Sequence, residues 1–243
     1  MHMPGNLGRQ RHEPRQTVDE LRRHLGLFSY KQNGQTAESG TQSGLSAQLG
    51  IRPGGIVELL PEREGSGAVT LALQVIVQSL GGRGVWAIVD PARECYVAAL
   101  SGWGIEPTRT LVLRPASLQE TCWAIEQCLR CPGVRTTLAW LEQRIPARVH
   151  RRWQLAAEVG GGVGLFFRPA WARREPIWAD SRLLMTPIAG GQGESRRIDI
   201  EVLYRRGGWG GSGQAWEIDH ATGHVHMVSQ LADPTTAARA ARA

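Results

Sequence analysis

The stretch Gly55-Ile-Val-Glu-Leu-Leu-Pro-Glu-Arg-Glu-Gly-Ser-Gly-Ala-Val-Thr-Leu-Ala-Leu-Gln-Val-Ile76 decides the fold. Ile56 to Leu60 is a short run of the buried-strand type. From Ala68 to Leu80, Leu71, Leu73, Val75, Ile76 and Leu80 fall at helical spacing. Between the two lies a glycine-containing turn. Strand, turn and helix in that order make a phosphate loop, where backbone N–H groups and a helix N-terminus meet an anion. The side chains of such a loop are missing. Ala68 stands where lysine would follow Gly67, and Val69 where a hydroxyl would hold Mg²⁺. Glu62 and Glu64 add negative charge close by. The six residues Gly65, Ser66, Gly67, Ala68, Val69 and Thr70 therefore read as a degenerate phosphate loop, and phosphoryl transfer is not expected of them.

Outward from this stretch, strands alternate with helices. Strands are expected at 85–89, 111–113, 134–140 and 163–167, and helices at 91–100, 117–131 and 147–158. Ser117-Leu-Gln-Glu120 is a capping box that opens one of these helices. Such alternation implies βαβ crossovers and an α/β fold with a mostly parallel sheet. After Pro187 the pattern changes. Ile188 to Ser195 is a glycine-rich connector, Arg197 to Tyr204 alternates as a strand, and Gly207 to Gly213 reads as a loop. Gln214 to Ile218 and His224 to Val228 are two further strands of an antiparallel extension. The organisation expected is a disordered start, amphipathic helix and polar linker over 1–50, an α/β core over 51–187, an antiparallel extension over 188–230 and a flexible tail over 231–243.

The helix near the N-terminus opens with the capping box Thr17-Val-Asp-Glu20 and places Val18, Leu21, Leu25 and Phe28 on one face. That face packs on its own domain or docks on a neighbouring protein; the spacing serves both.

Composition narrows the chemistry. The 243 residues carry a formal charge of +6, from 28 basic and 22 acidic side chains, with 42% hydrophobic residues. That is a globular balance. Lys31 is the one lysine and the other 27 basic residues are arginines, so only Lys31 could serve a phosphate loop or a Schiff base, and it sits in Lys-Gln-Asn-Gly-Gln with no phosphate loop around it. Arginine excess suits phosphate or carboxylate recognition. Cys128-Leu-Arg-Cys131 is a lone CxxC that closes a helix, and no second pair completes a zinc site. Reduced structural thiols and a cytoplasmic location are expected. The longest apolar-rich run, Val69 to Leu80, is broken by Thr70, Gln74 and Gln78, too short and polar for the about 20 residues a membrane span needs. No apolar segment marks Met1 to Arg15 as a signal peptide.

Around Gly65-Ser-Gly67, the segments Ile56-Val-Glu58 and Thr70-Leu-Ala-Leu-Gln-Val-Ile76 resemble RecA-type recombinases. The chain more closely resembles the ImuA family, RecA-like proteins of bacterial SOS mutagenesis. That likeness runs through Arg151-Arg-Trp-Gln-Leu-Ala-Ala-Glu-Val-Gly-Gly-Gly-Val-Gly-Leu-Phe-Phe-Arg-Pro169, Glu175-Pro-Ile-Trp-Ala-Asp-Ser-Arg-Leu-Leu184 and Glu217-Ile-Asp-His-Ala-Thr-Gly-His-Val-His226. The resemblance implies a RecA-like sheet with flanking helices, an N-terminal helix and a C-terminal hairpin extension. It implies a non-catalytic accessory of error-prone translesion DNA synthesis, without cofactor. Implied partners are an inactive Y-family polymerase homologue (ImuB-like), a C-family error-prone polymerase, RecA and single-stranded DNA. Departures from active RecA agree with one another. Of an Asp-Ala-Glu after the second strand only Asp90 survives, with Ala92 at the glutamate position. Thr137-Leu-Ala-Trp-Leu141 offers no metal-binding aspartate, and Glu142 is the nearest carboxylate.

Several further groups invite a functional reading. Arg205, Arg206 and Trp209 sit in a glycine-rich stretch suited to phosphates and a stacked base. Arg151-Arg-Trp153 suits a phosphate backbone or an acidic partner. His220, His224 and His226 do not converge as metal ligands on a hairpin. Glu175 and Asp180, near Trp171 and Trp178, read as solvated partners of arginines. Two alternatives to a scaffold are an ATPase in which Arg63 replaces the lysine, and a cell-division inhibitor on the same framework. Arg63 precedes Gly65 and so approaches from the wrong side of the turn.

Overall fold

The computed structural model describes residues 47, 49–80, 84–176, 178–189, 195–208, 210–219 and 225–228. The chain divides into units Met1–Glu38 and Ser39–Ala243, and all described residues belong to the second. The stripe Val18, Leu21, Leu25 and Phe28, together with Trp209, His220 and His224, lies outside the described residues.

β1 (Ile56–Pro61) leads through the glycine turn into α1 (Ala68–Leu80). There follow β2 (Val85–Val89), the single turn α2 (Val97–Leu100), β3 (Thr110–Leu113), α3 (Leu118–Arg130), β4 (Val134–Trp140) and α4 (Ala147–Gly160). β5 (Val163–Phe167), a 3-10 turn (Ala170–Arg174) and β6 (Ser181–Ile188) come next, then β7 (Ser195–Arg205), β8 (Gly211–Asp219) and β9 (Val225–Met227). The fold is α/β, with a nine-stranded sheet ordered β3-β2-β4-β5-β1-β6-β7-β8-β9. Every neighbouring pair from β3 to β6 is parallel. β6 to β9 form an antiparallel meander.

Burial follows this layout. β2 and β5 are buried at every residue, as strands covered on both faces must be. On one face, Leu71 and Leu73 of α1 join Ile88, Leu138, Leu165, Ile198 and Ile218 in a single cluster. On the other, α3 and α4 pack Ala124, Ile125, Trp153 and Ala157 against Ile56 and Phe166. Trp153 is fully buried and its indole N–H donates to Cys122 O at 3.0 Å. In β7, Ile198 and Ile200 turn inward while Asp199 and Glu201 turn out, so alternation is retained where one face is open. Among the described residues no helix is long and apolar enough to cross a membrane.

Caps set the helix ends. Ser117 Oγ accepts from Glu120 N at 3.2 Å, and the Glu120 carboxylate accepts from Ala116 N at 2.8 Å. α4 stops at Gly161, whose φ of +73° is left-handed and whose N–H reaches Ala157 O at 2.8 Å. Gly160 lies against the backbone at Leu129 and Arg130, where a Cβ has no room.

Three expectations are corrected. Helix does not run from Pro91 to Leu100. Only Val97–Leu100 is helical, because the Asp90 carboxylate accepts from Glu94 N and Cys95 N at 3.0 and 3.1 Å and Arg93 takes φ of +63°. Ser181–Ile188, left without an element in the sequence reading, is the strand that joins the two halves of the sheet. β8 begins at Gly211, so the glycine-rich loop ends sooner than its composition suggests.

Candidate functional site

The turn between β1 and α1 occupies the carboxyl edge of the sheet. Gly65 and Gly67 hold φ of +71° and +84°, which a side chain would strain. Leu71 N donates to Gly67 O at 2.9 Å and starts the helix. The meander closes over this turn. Arg196 of β7 donates from Nη1 to Gly65 O at 2.8 Å, and a Cβ on Gly67 would lie 3.1 Å from Ile218 Cδ1 and 3.5 Å from Ile198 Cγ2. Ser66 and Ala68 are buried, Thr70 is half-buried, and Val69 is exposed. Glu62, Arg63 and Glu64 are also exposed, and Glu62 N donates to Met185 O at 3.0 Å.

Beside the turn lies a cavity of about 380 Å³ at the ends of β2, β4 and β5. Val69, Leu73, Ile88, Leu100, Trp103, Trp140 and Phe167 supply apolar walls. Trp140 and Phe167 stack with centroids 4.9 Å apart and ring planes 20° apart. Trp140 ends β4, the position at which a metal-binding carboxylate would be sought. Asp90 is buried and committed to capping the turn that follows it, with Arg114 Nε 4.0 Å away. Ala92 and Glu142 are exposed. Cys95 also lines the cavity; burial, then the Asp90 charge, raises its pKa and keeps it a thiol. Among the described residues no cluster of three or more His, Cys, Asp or Glu is placed to hold a metal. Among the described residues that line the cavity there is no lysine or arginine, and most of the wall is apolar.

No family model and no curated protein matches the chain.

The other sequence candidates scatter. Arg205 donates to Ala47 O at 3.1 Å, and Arg206 bonds Glu158 at 3.2 Å and Asp180 at 3.4 Å. Both guanidiniums thus tie the hairpin to the domain. The hydrogen bonds to Glu158 and Asp180 raise the Arg206 pKa further. Glu175 and Asp180 pair with arginines, as read from sequence, but they are not solvated: Asp180 is 3% exposed. Arg151 and Arg152 are exposed on the second turn of α4, while Trp153 points into the core. Cys128 is wholly buried, and burial pushes its pKa up to about 12. His226 is exposed on β9.

Sequence reasoning missed a buried charge cluster. Glu58 of β1, Arg168 after β5 and Arg182 of β6 have no solvent exposure, and His150 of α4 is 4% exposed. The available signal was one glutamate inside an aliphatic strand, which demands a cationic partner.

Proposed function

We propose that the chain is a non-catalytic, RecA-like accessory of SOS-induced error-prone translesion DNA synthesis, acting as a scaffold for polymerase partners near DNA. One observation carries this reading: at the carboxyl edge of a parallel sheet, the glycine turn leads into an apolar, tryptophan-lined cavity instead of a cation and metal site. Ligands of α/β sheets bind at that edge, so its change of chemistry changes what the protein can hold. The strand–turn–helix unit supports a RecA-like ancestry, and the ImuA resemblance over 151–169 and 175–184 supports the pathway. The partners of the proposal are an ImuB-like polymerase homologue and a C-family error-prone polymerase, with RecA and single-stranded DNA in the same assembly.

The test is a pulldown of the full chain with the polymerase homologue at low salt and near-stoichiometric concentration. Retention is the expected result, and its absence overturns the reading. Equilibrium dialysis with ATP and Mg²⁺ separates this from the enzyme alternative: micromolar binding would restore an ATPase. Filamentation of expressing cells would favour the cell-division inhibitor.

A further inference from the structure

Two indoles stand partly in solvent beside α4. Trp171 is 41% exposed and Trp178 is 38% exposed. Guanidiniums lie over both rings: Arg144 Cζ at 5.7 Å and buried Arg168 Cζ at 5.9 Å from the Trp171 centroid, and Arg151 Cζ at 5.7 Å from the Trp178 centroid. The backbone that carries them is anchored. Ala172 and Ala179, each one residue beyond a tryptophan, are buried, and Ala179 packs in the same cluster as Trp153, Ala156 and Ala157 of α4. Each ring therefore stands next to a buried alanine.

The surroundings are basic. Arg148 is exposed three residues before Arg151, on the same side of α4, and Arg173 and Arg174 are exposed immediately after Trp171. Among the described residues the side chains of Arg148, Arg173 and Arg174 have no ion pair or hydrogen bond. The half-buried carboxylate of Glu175 is already engaged by Arg168 at 2.6 Å and approached by Arg144 at 3.9 Å.

We propose that the two arginine–tryptophan pairs, Arg144/Trp171 with Arg173 and Arg174 and Arg151/Trp178 with Arg148, bind single-stranded nucleic acid. Guanidiniums meet the phosphates, and unpaired bases stack on the solvent-exposed parts of the two indoles. A duplex hides its base faces, and an acidic peptide uses the arginines but gives the indoles nothing to stack on. The single strand is therefore the occupant that uses both features. The surface is distinct from the apolar cavity; in its ligand it rests on the single-stranded DNA of the proposed assembly, while its test involves no polymerase partner.

The test uses the full chain and a fluorescein-labelled oligo-dT 20-mer, with anisotropy read from 50 to 200 mM salt. Trp171→Leu/Trp178→Leu weakens binding tenfold or more, and Trp171→Phe/Trp178→Phe retains most of it, because a ring still stacks. Arg173→Glu/Arg174→Glu lowers the salt slope by about 1.4, two phosphate contacts at about 0.7 each. Thermal unfolding of each variant serves as the folding control, and the phenylalanine pair, which keeps a ring at both places, separates lost stacking from lost packing. Unchanged oligo-dT binding by the leucine and charge-reversed variants overturns the proposal. So does equal binding of a 20-base-pair duplex or of polyglutamate.

Discussion

Arg182 donates from Nε to Glu58 Oε2 at 2.6 Å across adjacent parallel strands, with both side chains wholly removed from solvent. Arg168 approaches the other oxygen at 3.5 Å and donates to Glu175 at 2.6 Å, while Arg182 Nη1 donates to Glu175 O at 2.9 Å. The cluster joins β1, the end of β5 and β6. Glu58→Leu leaves two guanidiniums without their shared counterion and destabilises the fold by about 3–5 kcal/mol. The triple variant Glu58→Leu/Arg168→Met/Arg182→Met recovers most of that loss. Urea unfolding of the three proteins measures both effects.

His150 lies beside this cluster, its Nδ1 3.8 Å from Glu58 Oε1. Burial lowers its pKa to about 4, helped by the charges of Arg168 and Arg182 and opposed by Glu175. The contact with Glu58 is therefore one of a neutral ring. The unfolded chain takes up this proton near pH 6.5 and the folded chain does so only near pH 4. The stability His150 supports is complete above pH 6.5 and falls as pH drops toward 4, by on the order of 3 kcal/mol. His150→Leu flattens the slope of unfolding free energy across that window, and an unchanged slope refutes the assignment.

Ala68→Lys/Val69→Thr restores two side chains of a phosphate loop without restoring its function. Ala68 is buried, Trp140 still ends β4, and Asp90 still caps its own turn. ATP turnover by the double variant stays at the level of the parent in a coupled assay, and titration calorimetry with ATP and Mg²⁺ gives no micromolar binding.

Asp180 gathers three segments. Its carboxylate accepts from Arg52, from Ile56 N at 2.9 Å and from Arg206 at 3.4 Å, and its N–H donates to Ile56 O at 2.7 Å. Asp180→Ala leaves the Ile56 N–H without its partner at the start of β1 and costs about 1–3 kcal/mol or more. Arg206→Ala costs less, because that side chain is exposed. Thermal unfolding ranks the two.

Gly160→Ala places a methyl group against the Leu129 backbone and forces α3 and α4 apart. A loss of about 1–3 kcal/mol follows, measurable in the same unfolding experiment.

Elements with strong local periodicity were legible before folding. Ile56–Pro61, Ala68–Leu80 and Leu118–Arg130 stand where apolar spacing and the Ser117/Glu120 box place them. β6 was not legible, because Arg182 and Pro187 interrupt the apolar pattern that marks a strand. Arg182 is a strand residue by virtue of its register beside Glu58. The glycine-rich arginines at 205 and 206 were read as free for a ligand, yet their partners Ala47, Glu158 and Asp180 come from distant parts of the chain.

By itself the sequence determined the succession of strands and helices and the replacement of the loop lysine by Ala68 and of the metal-binding hydroxyl by Val69, since both are read from neighbours within a few residues. Tertiary structure alone decided that Glu58 meets partners 110 and 124 residues away, that Ile198 and Ile218 close over Gly67, and that Trp140 and Phe167 wall a cavity. The physical reason is range. Helix and strand periodicity is a property of a short segment, whereas burial of a charge or an apolar wall depends on which distant segments the sheet order brings together.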